Sequence, residues 1–202
     1  MAVKTEKKRT FKSPEQRRAD LLEASVVVFK DKGIAGATVA DITEAAGVAK
    51  GTFYLYFQSR EHLLLALREE MVDQILEKTA RLYERLGKED WWALVDTMTE
   101  SMIELMFERR DAIAVFMQEG LTPPTVELFG ECDRKLNDML SSGIQLGIEA
   151  GVFKVSDPRS TAALLHHAIE GTVKEAILYD SGLDESKLAA AAKELVHKTL
   201  AP

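Results

Sequence analysis

The sequence predicts an all-α protein with a small N-terminal three-helix head and a larger C-terminal helical bundle. Three observations support this fold class. Apolar residues recur three and four positions apart along most of the chain, which is the period of an amphipathic helix. Proline, glycine and helix-capping residues divide this pattern into about nine segments. We find no convincing strand pattern and no internal repeat.

Helix 1 is expected over residues 14–32, because capping signals mark both of its ends. Ser13 suits the N-cap and Pro14 suits the first helical position. Gly33 suits the left-handed residue that follows the last turn. Residues 1–12 are short, charged and without periodicity, so they are expected to form a flexible basic arm.

Two shorter helices complete the predicted head, which we assign to residues 13–58. Thr38 caps helix 2, expected over 39–46, and Gly47 makes a turn into helix 3, expected over 49–55. A helix of about seven residues is not stable alone, so helices 1 and 2 must hold it in place. The aromatic residues of this stretch that we expect in the head's core are Phe53 and Phe57.

Six further helices are predicted for residues 59–202, which we assign to ligand binding and dimerisation. Ser59 provides the first cap, and later glycine, proline and aspartate residues separate the apolar runs. By residue number, these helices are expected at 60–86, about 90–109, 111–119, 125–150, 158–179 and 185–199.

Charge is distributed unevenly along the chain. Its net charge is -7, but residues 1–60 hold 11 Lys or Arg against 7 Asp or Glu, a balance of +4. The remaining residues hold 15 against 26, a balance of -11. A basic head on an acidic body is the asymmetry expected of a DNA-binding protein, although a basic tail on an ordinary acidic protein would give the same totals.

Cysteine usage and hydropathy favour a cytoplasmic protein. Because Cys132 is the single cysteine, the chain cannot form an internal disulfide. A redox-sensing role for the Cys132 thiol is left as an alternative. The N-terminus lacks the apolar run of a signal peptide, and no stretch approaches the roughly 18 apolar residues of a membrane span. We therefore expect no membrane contact.

The stretch from Thr38 to Arg60, TVADITEAAGVAKGTFYLYFQSR, has the mechanical requirements of a helix-turn-helix. Small residues before the turn allow its two helices to approach closely. The second helix of such a pair lies in the major groove of DNA, where base edges carry a distinct hydrogen-bonding pattern. The sequence therefore predicts a double-stranded DNA partner.

The same stretch resembles the TetR family of transcriptional regulators. That family's typical run is a Gly-Val turn, a Gly-Thr-Phe-Tyr-x-Tyr-Phe segment and a Lys/Arg-Glu-x-Leu helix start. The matching residues here are Gly47-Val48, Gly51-Thr52-Phe53-Tyr54, Tyr56-Phe57 and Arg60-Glu61. The body resembles the family in layout only, through its length, its helix count and the Gly-x-Phe then Asp-Pro start of helix 8.

The resemblance implies DNA-binding roles for eight residues. Four residues match family positions that face bases or nearby sugar-phosphate: Lys50, Gly51, Tyr54 and Leu55. Four others match family positions that contact phosphates: Thr38, Thr52, Tyr56 and Arg60. Lys50 is the candidate for a direct base contact because a lysine can reach guanine acceptors. Structural packing is the alternative role for Tyr54 and Tyr56.

The resemblance also implies an effector cavity in the body, for a small apolar or aromatic ligand. Methionine and aromatic side chains suit such a cavity, but they suit an ordinary core equally well. The candidate ligand-binding residues are Tyr83, Trp92, Met98, Met102, Met106, Phe116, Met117 and Phe129.

Helices 8 and 9 place small residues beside leucines, which allows close helix packing. The resemblance implies that two such helices from each chain form a four-helix homodimer interface. Closure of the monomer's own core is the alternative. The candidate interface residues are Leu164, Ala168, Gly171, Thr172, Leu188, Ala192 and Leu195.

No catalytic, cofactor or metal site is expected. The sequence offers no nucleophile–base pair and no phosphate-binding glycine loop. His166 and Glu170 share a helix face, but His167 points about 100° away, so the three are not expected to meet. The prediction is thus a ligand-responsive DNA-binding regulator, a repressor released from a palindromic operator by its effector. An activator and a ligand-independent DNA-binding protein would share these features.

Overall fold

The computed structural model describes residues 12–86, 90–118, 123–179 and 181–202. Within these ranges the protein has nine α-helices and no strand, which confirms the predicted all-α fold. The helices are α1 (Pro14–Gly36), α2 (Val39–Ala45), α3 (Lys50–Phe53), α4 (Arg60–Leu86), α5 (Trp91–Glu108), α6 (Arg110–Gln118), α7 (Pro123–Glu149), α8 (Pro158–Tyr179) and α9 (Glu185–Leu200). The predicted arm, except Lys12, and position 119 at the predicted end of helix 6 lie outside the described residues.

The chain divides into two compact units, Met1–Leu63 and Leu64–Pro202. The first contains α1, α2, α3 and the first turn of α4, and the second contains the rest of α4 and all later helices. No helix in the described ranges is both long enough and apolar enough to cross a bilayer.

Helix α1 begins as the capping residues predict and continues past the predicted end. The Ser13 side chain accepts from the Gln16 amide at 3.2 Å, and the Gln16 side chain accepts from the Ser13 amide at 3.0 Å. Gly33 has φ +70° and interrupts the regular helix where the sequence predicted. One more turn follows to Gly36, because the Ala37 amide donates to the Gly33 carbonyl at 3.1 Å.

The turn between α2 and α3 is closed by backbone hydrogen bonds around Gly47, which has φ +66°. The Val48 amide donates to the Thr43 carbonyl at 2.9 Å. Helix α3 is shorter than the predicted 49–55. The Leu55 and Tyr56 amides donate to carbonyls three residues back, so the backbone tightens into turns after Phe53.

An apolar core holds the first unit together. Phe53 is fully buried and Phe57 is 2% exposed, as expected, and their ring centroids lie 5.6 Å apart. Residues from α1 and α2 complete this core, among them Leu21, Phe29 and Ile42, which are fully buried. A four-residue helix is thus fixed by its neighbours rather than by its own hydrogen bonds.

In the second unit, α5 packs against α9, and α7 packs against α8. His197 Nε2 of α9 lies 2.7 Å from Asp96 Oδ1 of α5. A backbone hydrogen bond of 2.9 Å from the Lys154 amide to the Leu200 carbonyl ties the loop after α7 to the end of α9. These contacts hold α9 along the bundle.

The loop after α7 carries Phe153, which folds back onto its own helix. Phe153 is 5% exposed, and its amide donates to the Gly147 carbonyl at 3.1 Å. Its ring lies against both tryptophans of the chain, with centroid separations of 5.8 Å to Trp91 and 5.1 Å to Trp92. The loop thereby closes one side of the helical core.

Candidate nucleic-acid interface and ligand cavity

The α3 region turns one set of side chains to solvent and another to the core. Tyr54 is 55% exposed and Leu55 is 77% exposed, whereas the neighbouring Phe53 is fully buried. Lys50 and Gly51 are also exposed. The four residues predicted to face bases therefore lie on the solvent side of α3 and the turn that follows it. Leu55 is thus an apolar side chain that the protein leaves exposed to solvent.

Two of the predicted phosphate-contacting residues are less open, and a third, Thr38, is exposed but has its hydroxyl engaged in a helix cap. Thr52 and Tyr56 are half-buried. The Thr38 hydroxyl caps α2: it accepts from the Asp41 amide at 3.2 Å and donates to Asp41 Oδ2 at 2.6 Å. Lys32 Nζ lies 2.6 Å from Asp41 Oδ1, and the hydrogen bonds from Lys32 and Thr38 lower the pKa of Asp41 to about 2.

Arg60 stands at the start of α4, and its guanidinium reaches the end of α1. Nη1 donates to the carbonyl oxygen of Ile34 at 2.9 Å and also to that of Ala37. Carbonyls at the end of a helix lack partners within it, so these hydrogen bonds satisfy them. Arg60 therefore joins α1 to α4, and its other terminal nitrogen, Nη2, lies 3.8 Å from Glu61 Oε1.

The second unit contains a cavity of about 380 Å³, with exposed residues such as Leu146 at its edge. Its wall is formed by α4, α5, α7, α8 and α9 together with Phe153. The wall contains no Asp, Glu, Lys or Arg. Its polar groups are the indole N–H of Trp91 and the side chains of Thr79, Tyr83, Thr99, Ser142 and His166. The cavity is therefore an uncharged and mainly apolar space.

Three of the eight predicted ligand-binding residues line this cavity: Tyr83, Met98 and Met102. The others lie outside its wall and are Trp92, Met106, Phe116, Met117 and Phe129. The rings of Phe116 and Phe129 pack on each other at 5.5 Å, Trp92 packs against His197 at 4.4 Å, and Met117 is 47% exposed. These five residues were predicted because methionine and aromatic side chains suit a ligand cavity, but in the structure they pack outside this cavity or face solvent.

His166 and the aliphatic face of α7 also form the wall, although neither was predicted from the sequence. Phe153 was not predicted as part of the wall either, although it is the phenylalanine of the Gly-x-Phe motif. A helical apolar stripe on α7, including Leu136, Leu140 and Ile144, was the available signal. That signal identifies an inward face and cannot separate a cavity wall from a filled core.

A group of charged side chains joins α4, α7 and α8 beside the cavity. Arg68 Nη2 lies 2.5 Å from Asp133 Oδ1 and 3.3 Å from Glu170 Oε1, and Lys174 Nζ lies 2.9 Å from Glu170 Oε1. Burial by itself would raise the pKa of Glu170, but Lys174 and Arg68 outweigh that effect and lower it to about 2. The Arg68 Nε is buried without a hydrogen-bond partner among the described residues.

Two histidines lie next to this group. His166 is 3% exposed, and its Nδ1 lies 2.9 Å from Asn137 Oδ1. Burial lowers the pKa of His166. His167 does not point away as expected, because its ring stacks on His166 at 4.7 Å and its Nδ1 lies 3.5 Å from Glu170 Oε2. Within the described ranges no group of three or more His, Cys, Asp or Glu is arranged to hold a metal ion.

The predicted dimer residues divide into two sets. Those exposed on α8 and α9 are Leu164, Ala168, Gly171 and Leu195, and Thr172 is half-buried. Leu188 and Ala192 are each 8% exposed and are covered by their own chain. Leu164 is 73% exposed, and Tyr179 on the same helix is equally exposed. Leu164, Tyr179 and Leu195 are therefore large side chains on α8 and α9 that their own chain leaves uncovered.

Comparison with known proteins identifies the family. The family described as "Bacterial regulatory proteins, tetR family" matches residues 21–67. The HTH-type transcriptional regulator YfiR of Bacillus subtilis is 30% identical over 191 residues, covering 91% of this chain and 92% of YfiR. The chain belongs to the TetR family of bacterial transcriptional regulators.

Solved structures show the same fold at lower sequence identity. FadR from Bacillus subtilis, in complex with stearoyl-CoA, aligns with a TM-score of 0.75 at 22% identity, over 88% of this chain and 96% of FadR. SmeT, in complex with triclosan, aligns with a TM-score of 0.76 at 18% identity, over 92% of each chain. SmeT is the repressor of the Stenotrophomonas maltophilia multidrug efflux pump SmeDEF.

Proposed function

We propose that this protein is a ligand-responsive transcriptional repressor that binds a palindromic DNA operator as a homodimer and is released by a small apolar effector. The cavity of about 380 Å³ is the feature that carries this proposal. Small-molecule sites are concave, mostly apolar spaces of about 300–1,000 Å³, and this cavity has that size and lining.

The chemistry of the wall restricts the effector. An unpaired charge placed against an uncharged wall would lose its hydration without compensation, at a cost of several kcal/mol. The part of the effector inside the cavity is therefore uncharged, and either aliphatic or aromatic. The ligands in the FadR and SmeT structures, stearoyl-CoA and triclosan, both have large apolar portions, which supports this class.

The exposed residues of the α3 region supply the proposed DNA contacts. Lys50 is suited to the acceptors of guanine, and Leu55 to the methyl group of thymine, in the major groove. The backbone of Gly51 has no side chain to obstruct a phosphate or sugar, and Tyr54 stands beside it. Thr38, Thr52 and Tyr56 would fix the register through the phosphates.

A homodimer would cover the exposed apolar surface of α8 and α9. Leu164 and Leu195 are exposed members of this surface, and two copies related by a twofold axis would bury both. A twofold-symmetric dimer would bind a palindromic operator, because each head would read one half-site. Leu188 and Ala192 would support the interface from within each chain.

A repressor is favoured over an activator because SmeT, which has the same fold, is a repressor. The cavity is the specific observation that favours a ligand-responsive protein over a ligand-independent one. Ligand and DNA are coupled only when the ligand binds the two conformations of the protein with different affinities. Release of DNA on ligand addition is therefore the defining measurement.

The test is selection of DNA from a random pool by the intact protein, followed by titration of ligands into the selected complex. We expect a palindromic site, bound with a stoichiometry of two chains, and its release by at least one of stearoyl-CoA, triclosan or 1-decanol. CoA without an acyl chain is the matched control and should not release it. Failure to select any palindrome at low salt would contradict the proposal.

Lys50→Ala provides a second test of the DNA-binding face. The variant should bind the selected site more weakly and tolerate substitutions at one base pair of each half-site, with a loss of about 1–3 kcal/mol. Equal losses on the selected site and on random DNA would instead assign Lys50 to a phosphate.

A further inference from the structure

His166 differs from the other polar residues in the wall of the cavity. It is 3% exposed, deeper than the half-buried Thr79 and Tyr83. The hydroxyl groups of Thr99 and Ser142 donate to carbonyls of their own helices, at 2.8 Å to Val95 and at 2.8 Å to Asp138. Trp91 is 8% exposed, but its indole can only donate a hydrogen bond. His166 is therefore the deeply placed side chain of the wall with an acceptor that its own helix does not use.

The hydrogen-bond partner of Nδ1 in the His166 ring determines whether Nε2 can donate or accept a hydrogen bond. His166 Nδ1 lies 2.9 Å from Asn137 Oδ1, and an amide oxygen only accepts hydrogen bonds, so Nδ1 carries the proton. Burial lowers the pKa of His166, which favours the neutral ring. In a neutral ring with a protonated Nδ1, the other nitrogen, Nε2, has a lone pair and acts as an acceptor.

Asn137 is not part of the cavity wall, whereas His166 is. The Nδ1 edge of the ring is therefore directed away from the cavity, and the opposite edge, which contains Nε2, is available to it. No partner for Nε2 is present among the described residues. Nε2 is not one of the fully buried side-chain atoms that lack a partner among the described residues, so its lone pair is open to a molecule in the cavity. A ligand that covers this acceptor must bring a donor to it, because an acceptor that is covered without a partner costs free energy.

We propose that His166 Nε2 accepts a hydrogen bond from a hydroxyl or N–H group of the effector and thereby selects effectors that carry such a donor. This inference depends on the proposed effector cavity. It specifies the effector further, as an apolar molecule with one hydrogen-bond donor placed inside the bundle. Molecules of equal size that offer only an acceptor are bound more weakly, since two lone pairs would face each other.

Two isomers test this directly: 1-decanol and 1-methoxynonane have the same atoms, but only the alcohol donates a hydrogen bond. Isothermal titration of the intact protein should give an affinity for the alcohol about three- to tenfold higher than for the ether. His166→Leu should reduce this ratio to about one, and His166→Gln, which retains an acceptor, should keep part of it.

Thr99→Val is the matched control within the wall. It also replaces a polar group by an apolar one, but the Thr99 hydroxyl is already bonded to the Val95 carbonyl. The alcohol-to-ether ratio should therefore keep its wild-type value, even if both affinities change. A ratio that falls as far in Thr99→Val as in His166→Leu would show that general wall polarity, and not His166, sets the preference.

A measurement on the wild-type protein avoids dependence on the folding of variants. With 15N-labelled histidine, the Nε2 resonance of His166 should shift on addition of 1-decanol and much less on addition of 1-methoxynonane. Equal affinities for the two isomers, or an unmoved Nε2 resonance, would overturn the role of His166 and leave the effector cavity standing. Binding of neither isomer, together with failure of the other ligands, would overturn the proposed function as well.

Discussion

The ring of Phe153 occupies the space where a side chain on Gly147 would lie: a Cβ at Gly147 would be 2.0 Å from the Phe153 Cδ2. Gly147 is inside α7, where any residue can adopt the backbone conformation, so contact and not conformation requires the glycine here. The ring cannot move away freely, because Trp91 and Trp92 pack against it. This contact fixes one side of the cavity.

Gly147→Ala is therefore expected to lower the free energy of unfolding by about 1–3 kcal/mol, the usual cost of overpacking a core. Gly143→Ala, one turn earlier on α7, is the matched control. A Cβ at Gly143 would meet no atom within 4 Å. It should be neutral or stabilise the helix by up to about 1 kcal/mol. Urea unfolding at equal protein concentrations measures both, and equal effects would contradict the steric explanation.

Arg60→Met is expected to destabilise the first unit by about 1–3 kcal/mol, because it leaves carbonyls at the end of α1 without their charged donor. Arg60→Lys should restore little of this loss, since an ammonium lacks the guanidinium fork. Hydrogen exchange of the α1 to α3 amides measures the change. Arg81→Met is the control, because Arg81 is 74% exposed and should change stability by no more than about 0.5 kcal/mol.

The same variants distinguish two roles of Arg60. If its main role is the predicted phosphate contact, Arg60→Met will weaken DNA binding while hydrogen exchange in α1 stays at the wild-type level. If its main role is to join α1 to α4, exchange will accelerate before any DNA is added.

Glu170 is expected to make stability depend on acid pH. Its pKa in the folded protein is about 2, below its ordinary value of 4.5, so the unfolded chain takes up the proton first. The stabilisation is complete above the unfolded pKa and is lost as the pH falls towards 2. Between pH 5 and pH 3 the wild type should lose about 2 kcal/mol more than Glu170→Gln.

Urea unfolding of both proteins across that pH range checks this expectation. The Asp41 carboxyl, whose pKa is also about 2, is present in both proteins and cancels from the comparison. Parallel pH profiles for the wild type and Glu170→Gln would contradict the charged contacts assigned to Glu170.

Cys132 is expected to react slowly with thiol reagents in the folded protein. Its side chain is 5% exposed, and burial raises the pKa of the thiol, so little thiolate is formed or reached at neutral pH. Reaction with an aromatic disulfide should be roughly a hundredfold faster in denaturing urea, in line with a local opening free energy of about 3 kcal/mol. Rapid reaction of the folded protein would restore the thiol-sensor alternative.

The sequence located the helices well because their ends carry explicit chemical signals. The bounds predicted for α4 agree with the structure, and Ser13, Thr38 and Gly33 each do what their residue types suggest. The limits of α3 could not be predicted in this way, since no cap marks the change from helix to turn after Phe53. The helix ends there because the Leu55 and Tyr56 amides bond to carbonyls three residues back instead of four.

The cavity was harder to predict than the fold. Large soft residues such as Met106 and Phe116 were assigned to it from their type alone, but side-chain type does not reveal which face of a helix meets an empty space. Arg60 shows a related limit. A family position suggested a phosphate partner, whereas the contact to Ile34 joins residues 26 positions apart in the chain and is visible only in three dimensions.

The arrangement around Phe153 has one practical consequence. The protein's two tryptophans, Trp91 and Trp92, both touch a ring that lines the cavity. A molecule entering that space would press on Phe153 and alter the surroundings of both indoles together. The intrinsic fluorescence of the unlabelled protein should therefore respond to occupancy of the cavity, so compound collections can be screened optically without a reporter gene, a dye or the operator DNA.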